Sequence, residues 1–142
     1  MRMASKFAGR DYKVCGLEGL WWVSSAQKFL DARRESWQWK MMIRTPDFIT
    51  AEDLKETIEK LRQKGKPAEV SQVKLERLDE GRSIQVLHVG PYSEEPTTIA
   101  AMEEFATEHG LTRNGRHHEI YLSDPRRVKP EKLQTILRQP VT

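Results

Sequence analysis

Period-two alternation, interrupted twice by helical spacing, is the feature that most restricts what this chain can fold into. In "RHHEIYLSDPRR", residues 116–127, His117, Glu119 and Tyr121 point one way in an extended chain. His118, Ile120 and Leu122 point the other way. The same alternation runs through "KVCGLEGLWWV" at 13–23, where Glu18, Leu20 and Trp22 share one face and Leu17, Gly19 and Trp21 the other. Its two glycines, Gly16 and Gly19, predict a bulge or a close approach by another group. Trp37, Trp39, Met41 and Ile43 alternate with Gln38, Lys40, Met42 and Arg44 until Pro46 ends that strand. Residues 24–35 fit either a helical turn or a loop.

Thr50 opens a helix, with Asp53 at the capping-box position and Leu54, Ile58 and Leu61 as an apolar stripe. Gly65 and Pro67 stop it. "VKLERLDEGRSIQVLHVG" at 73–90 reads as a hairpin turning at "DEGR", where Gly81 supplies a positive φ. Ser93 is the expected cap of a second helix, whose stripe is Ile99, Met102, Phe105 and Ala106 and whose stop is Gly110. In "PEKLQTILRQPV", Leu133, Thr135 and Leu137 alternate with Gln134, Ile136 and Arg138. A strand fits there, with a short helix over 130–137 as the alternative.

The resulting order is β, β, α, β, β, α, β, β. It predicts an α+β fold with helices on one face of a mostly antiparallel sheet. Ile120 and Leu122 are then expected beneath the helices, and His117, Glu119 and Tyr121 on the uncovered side. Residues 1–10 are expected to be a flexible segment, and 11–142 one domain.

Lys+Arg 24 against Asp+Glu 21 leaves +3, too small an excess to argue for a polyanion partner. Arg2, Lys6, Arg10 and Lys13 read as a solvated start, and neither nucleic acid nor membrane is expected as a partner. Cys15 is alone, which removes internal disulfides and cysteine-rich metal sites; it reads as a small hydrophobe. No apolar run reaches membrane-spanning length, and the N-terminus lacks a secretory apolar core, so a cytoplasmic protein is expected.

Few residues offer chemistry. Glu18 within the apolar "LEGLWW" needs a partner or a purpose. The tryptophans, Trp21, Trp22, Trp37 and Trp39, serve as core or as pocket walls. Glu119 and Tyr121 are solvated strand residues unless their face lines a cleft. His117 and His118 point to opposite faces and make no metal motif. His88 shares a face with Ile84 and Val86 and reads as a satisfied, partly buried histidine. There is no phosphate loop and no nucleophile elbow, so a carboxylate base is the one mechanism readily supplied. No cofactor is called for.

Four segments together resemble the GyrI-like small-molecule-binding family: "LEGLWW" at 17–22, "WKMMIRTPDFIT" at 39–50, "VLHVGPYSEEPTTIAAMEEF" at 86–105 and "HHEIYLSDPRRVKPEKLQTILRQPV" at 117–141. The likeness is greatest to its stand-alone branch, some members of which hydrolyse cyclopropanoid genotoxins. The resemblance implies two strand–helix–strand–strand modules forming a curved antiparallel sheet with a ligand cleft. It implies binding of apolar aromatic or cationic small molecules. Glu119 becomes the base that activates water, and Tyr121 the residue that hydrogen-bonds ligand or water. Trp22 and Trp39 become walls, and Glu18 a second polar contact. His117, which shares the strand face of Glu119, is expected as a further ligand contact on that ground and not from the resemblance. Family members usually carry an additional strand–helix portion before the "LEGLWW" strand. The first module is therefore expected to be truncated, leaving an open cleft or one completed by a second copy in a homodimer. The alternative is a non-catalytic module that sequesters drugs or, as in gyrase-inhibiting relatives, docks on a protein.

Overall fold

The computed structural model describes residues 1–7, 9–24 and 34–142. Most of the ambiguous 24–35 segment lies outside them. The chain forms two compact units, Met1–Cys15 with Arg44–Asp79 and Gly16–Ile43 with Glu80–Thr142.

The first unit holds α1 (Arg2–Phe7) and α2 (Ala51–Gln63). The capping box forms as expected. Thr50 Oγ1 accepts from the Asp53 amide at 3.2 Å, and the Thr50 amide donates to Asp53 Oδ2 at 2.8 Å. Those bonds favour the ionised carboxylate and hold Asp53 below the usual carboxylate range. Gly65 takes φ +69° and closes the helix, with the Lys66 amide reaching Leu61 O at 3.0 Å.

The second unit is a five-stranded antiparallel sheet in the order β2-β1-β4-β5-β3, from β1 (Leu17–Trp22), β2 (Gln38–Ile43), β3 (Ser83–Val89), β4 (His117–Tyr121) and β5 (Gln134–Pro140). The last segment is thus a strand, and a central one. Helix α3 (Glu95–Glu108) lies against it through Ile99 and Met102. They pack on Leu137, which is 0% exposed, with Trp21, Val23, Trp37, Ile84 and Val86 around them.

Three local expectations change. Residues 73–82 form no strand; β3 pairs with β5 instead, from Ser83↔Pro140 to Val89↔Gln134. Gly81 keeps its positive φ of +62°, but Glu80 beside it is held on the sheet by His118 and Arg138, so the turn folds onto a face rather than returning along an edge. Ser93 does not cap α3. A 3-10 turn over Tyr92–Glu94 leads into the helix, the Glu94 amide bonds Pro91 O at 2.9 Å, and Pro96 has no N–H to satisfy. Phe105 is 46% exposed and stacks on His109 instead of entering the core.

The largest correction concerns the faces. Register places Trp21 opposite His117, Glu119 opposite Leu137, and Leu137 opposite Val86. His117, Glu119 and Tyr121 therefore lie on the side that α3 covers, and Ile120 on the other. Leu122 follows β4 and is 53% exposed. The apolar parity of this one strand misleads, because its polar parity is buried by hydrogen bonding.

Leu137→Ala should lower stability by about 2–5 kcal/mol, read from the urea unfolding midpoint, since it empties a site closed on every side.

Candidate functional site

On the α3 side of the sheet, β1, β4 and the turn before α3 bring one polar chain together. Glu119 is 2% exposed. The Tyr121 hydroxyl donates to Glu119 Oε2 at 2.7 Å, and the Trp21 indole N–H donates to the Tyr121 oxygen at 3.1 Å. Burial and the Glu119 charge push the Tyr121 phenol far above its ordinary range, so it stays a donor at any physiological pH. Tyr92 meets Tyr121 edge-on, ring centroids 6.0 Å apart. Burial, then the charges of Glu95, Glu119 and Asp124, raise its hydroxyl too.

The turn carrying Tyr92 is pinned by His88. One ring nitrogen lies 2.8 Å from Thr98 Oγ1 and the other 3.2 Å from Pro91 O. The sequence led to a satisfied, partly buried histidine here; the ring is satisfied and, at 5% exposed, fully buried. Glu95, in the first turn of α3, is 3% exposed, and its charge acts on Tyr92 and Tyr121.

Gly19 makes the crossing possible. A Cβ there would lie 2.8 Å from Trp21 Nε1, 3.1 Å from the Tyr121 hydroxyl and 3.2 Å from Met41 Cε. Gly16 does the same for the backbone, where a Cβ would come 2.9 Å from Tyr121 O. Of the two roles predicted for these glycines, close approach is the one realised.

His117 is 1% exposed and belongs to this face. Burial, with Arg113 and His118 adding to it, lowers its pKa to about 3. The ring is therefore neutral, and its 3.7 Å approach to Glu119 Oε1 is not an ion pair. Beyond α3 the same face continues onto β1 and β2 as an exposed apolar strip of Leu17, Trp39, Met41 and Ile43, with Trp39 61% exposed.

Two expected site residues lie elsewhere. Glu18 and Trp22 occupy the opposite face, because alternation along β1 separates them from Trp21. Glu18 finds its partner in His118, whose Nε2 is 2.9 Å from Glu18 Oε2 while Nδ1 is 2.9 Å from Glu80. Arg138 Nη1 also reaches Glu80, at 2.9 Å. Both imidazole nitrogens face carboxylates. Trp22 lies under the Arg116 guanidinium, 3.7 Å from its ring centroid, and donates to Gln38. Neither residue can join Glu119 in one cleft. Trp21, Tyr92 and Glu95 take their places, and nothing in local spacing distinguishes Trp21 from Trp22 without the strand pairing.

Among the described residues, no group of three or more His, Cys, Asp or Glu is placed to hold a metal ion. None of their helices is long and apolar enough to cross a membrane.

An α+β sheet with an acidic-aromatic group beside an exposed apolar face has the outline of a small-molecule-binding domain. Residues 4–142 match the GyrI-like small molecule binding domain, and the chain belongs to that family. It is similar to an uncharacterized conserved protein from Listeria innocua, with 41% identity, TM-score 0.88, and 99% of this chain matched to 72% of that one. It is also similar to two structures described as hydrolases from the same organism. One has 43% identity and TM-score 0.79, matching 93% of this chain to 64% of that one. The other has 41% identity and TM-score 0.84, matching 99% to 72%. No curated protein matches.

Two outcomes follow. Gly19→Ala should displace the Trp21 indole and cost about 1–3 kcal/mol, seen as a change in tryptophan emission together with a lower melting temperature. His117 is harder to protonate folded, at about 3, than unfolded, near its ordinary 6.5. The unfolded chain therefore binds the extra proton between those values, and stability falls as pH drops through that window. The His117 share, by about 1.4 kcal/mol per pH unit at most, should vanish in His117→Gln, measured by urea unfolding across pH.

Proposed function

We propose that this domain binds flat apolar or cationic small molecules on the α3 side of its sheet, and that Glu119 and Tyr121 carry a hydrolytic reaction on strained, cyclopropanoid electrophiles. The observation that carries the reading is the 2.7 Å bond from the Tyr121 hydroxyl to the buried Glu119 carboxylate. It stands beside the exposed strip of Leu17, Trp39, Met41 and Ile43. Trp39 offers a stacking surface, and a cation over its ring or near Glu119 gains further attraction. The family match supports small-molecule binding, and two similar solved proteins are described as hydrolases.

In the proposed step, Glu119 is the general base. A water proton passes to Glu119, directly or with Tyr121 giving its own proton to Glu119 while taking the water's. The water oxygen bonds to a ring carbon as a ring C–C bond breaks. The released electron pair moves into the conjugated acceptor of the ligand, which takes the proton from Glu119, directly or through solvent, so the carboxylate is restored and both parts of the added water are in the opened product. Tyr121 stays protonated between turnovers, as its raised pKa requires.

Sequestration without turnover is the second reading, favoured by the 2% exposure of Glu119, which limits the access of water to the base. The two part in one assay. Purified protein is incubated with a cyclopropanoid compound, and the product is followed by mass spectrometry. Hydrolysis predicts a gain of one water and a loss of turnover by about 10²-fold or more in Glu119→Gln. Sequestration predicts quenched tryptophan emission with the compound recovered intact. Turnover that Glu119→Gln leaves unchanged would remove Glu119 from the chemistry.

A further inference from the structure

A phenol hydroxyl has one proton and two acceptor lone pairs, and it rotates about its C–O bond. At Tyr121 that freedom is removed from both sides. The Glu119 carboxylate accepts at 2.7 Å, and the Trp21 indole N–H donates at 3.1 Å. An indole N–H only donates and an ionised carboxylate only accepts, so the chain Trp21 to Tyr121 to Glu119 has a single direction. The indole is itself fixed. Trp21 meets Trp37 edge-on at 6.0 Å and 63°, and it packs on the core around Leu137. Gly19 leaves the space in which indole and phenol meet across β1.

We propose that Trp21 is a positioning residue of the site: its indole N–H holds the Tyr121 hydroxyl so that the proton points at Glu119. This rests on the reading of Glu119 and Tyr121 given above. Trp21 acts through Tyr121 and touches no reacting atom. When Tyr121 hands its proton to Glu119, the same N–H stabilises the charge that develops on the phenol oxygen. That contribution belongs to the step and not to ligand binding, so it appears in kcat and leaves KM in place.

The test compares Trp21→Phe with wild type, alone and combined with Tyr121→Phe. Trp21→Phe should lower kcat by about three- to tenfold, the range of one neutral hydrogen bond, with KM unchanged. In the Tyr121→Phe background it should add nothing. An equal further loss in that background would overturn the proposal, since the residue would then act through packing alone.

A second measurement needs no substrate. The Tyr121 hydroxyl proton, buried against a carboxylate, should give a low-field proton resonance that is absent in Tyr121→Phe. Removing the indole N–H should shift or broaden that resonance, and an unchanged one would overturn the proposal. If Trp21→Phe does not fold, benzothienylalanine at position 21 keeps both rings and removes the N–H alone. Absence of turnover in wild type would sink the hydrolase reading, and the hydroxyl resonance would still decide Trp21.

Discussion

The burial of Glu119 is the constraint on which the second unit depends. A carboxylate 2% exposed needs hydrogen-bond donors held in place, because its desolvation is otherwise costly. One donor is Tyr121, two residues along the same strand. Alternation puts those two side chains on one face, and the antiparallel register with β1 brings Trp21 into reach of the phenol. A side chain at Gly19 would block the crossing, so the glycine is a condition of the polar chain above it. Helix α3 then seals the same face with Ile99 and Met102 over Leu137. Core and candidate site consequently share one face of the sheet, with Leu137, Ile84 and Val86 beside the buried polar side chains of β4.

The other face of β4 solves a similar problem by different chemistry. His118 is 1% exposed and lies between Glu18 and Glu80, while Arg138 reaches Glu80 as well. Arg138 and Glu80 are opposite charges at hydrogen-bond distance, and the cluster ties the segment at Glu80 to the sheet. Its work is structural: every side chain in it meets a partner from its own unit, and the network explains a carboxylate in the middle of "LEGLWW". The two adjacent histidines thus differ sharply. His117 is neutral, buried where the charge of Arg113 reaches it and 3.7 Å from Glu119, and His118 is held between two acids.

Much of the secondary structure was legible in residues. Thr50 with Asp53 announces α2, Gly65 ends it, and the alternation from Leu133 to Arg138 matches β5 almost residue for residue. These signals are local, set within one helical turn or one strand. The hairpin before β3 was not legible, because a turn glycine promises a reversal of the chain and says nothing about which strand takes up the pairing. Ser93 failed as a cap for a related reason: a 3-10 turn already meets the first donors of α3.

By itself the sequence determined most of the elements, the α+β class and the sharing of one strand face by Glu119 and Tyr121, since period two and cap chemistry depend on near neighbours only. Tertiary structure decided which way that face turns. It chose Trp21 over Trp22, gave Glu18 to His118, and put Tyr92 and Glu95 beside Tyr121. Those outcomes depend on register between strands about 100 residues apart and on where a helix comes to lie. Alternation within one strand is blind to both, because reversing the faces of a sheet changes no local spacing at all.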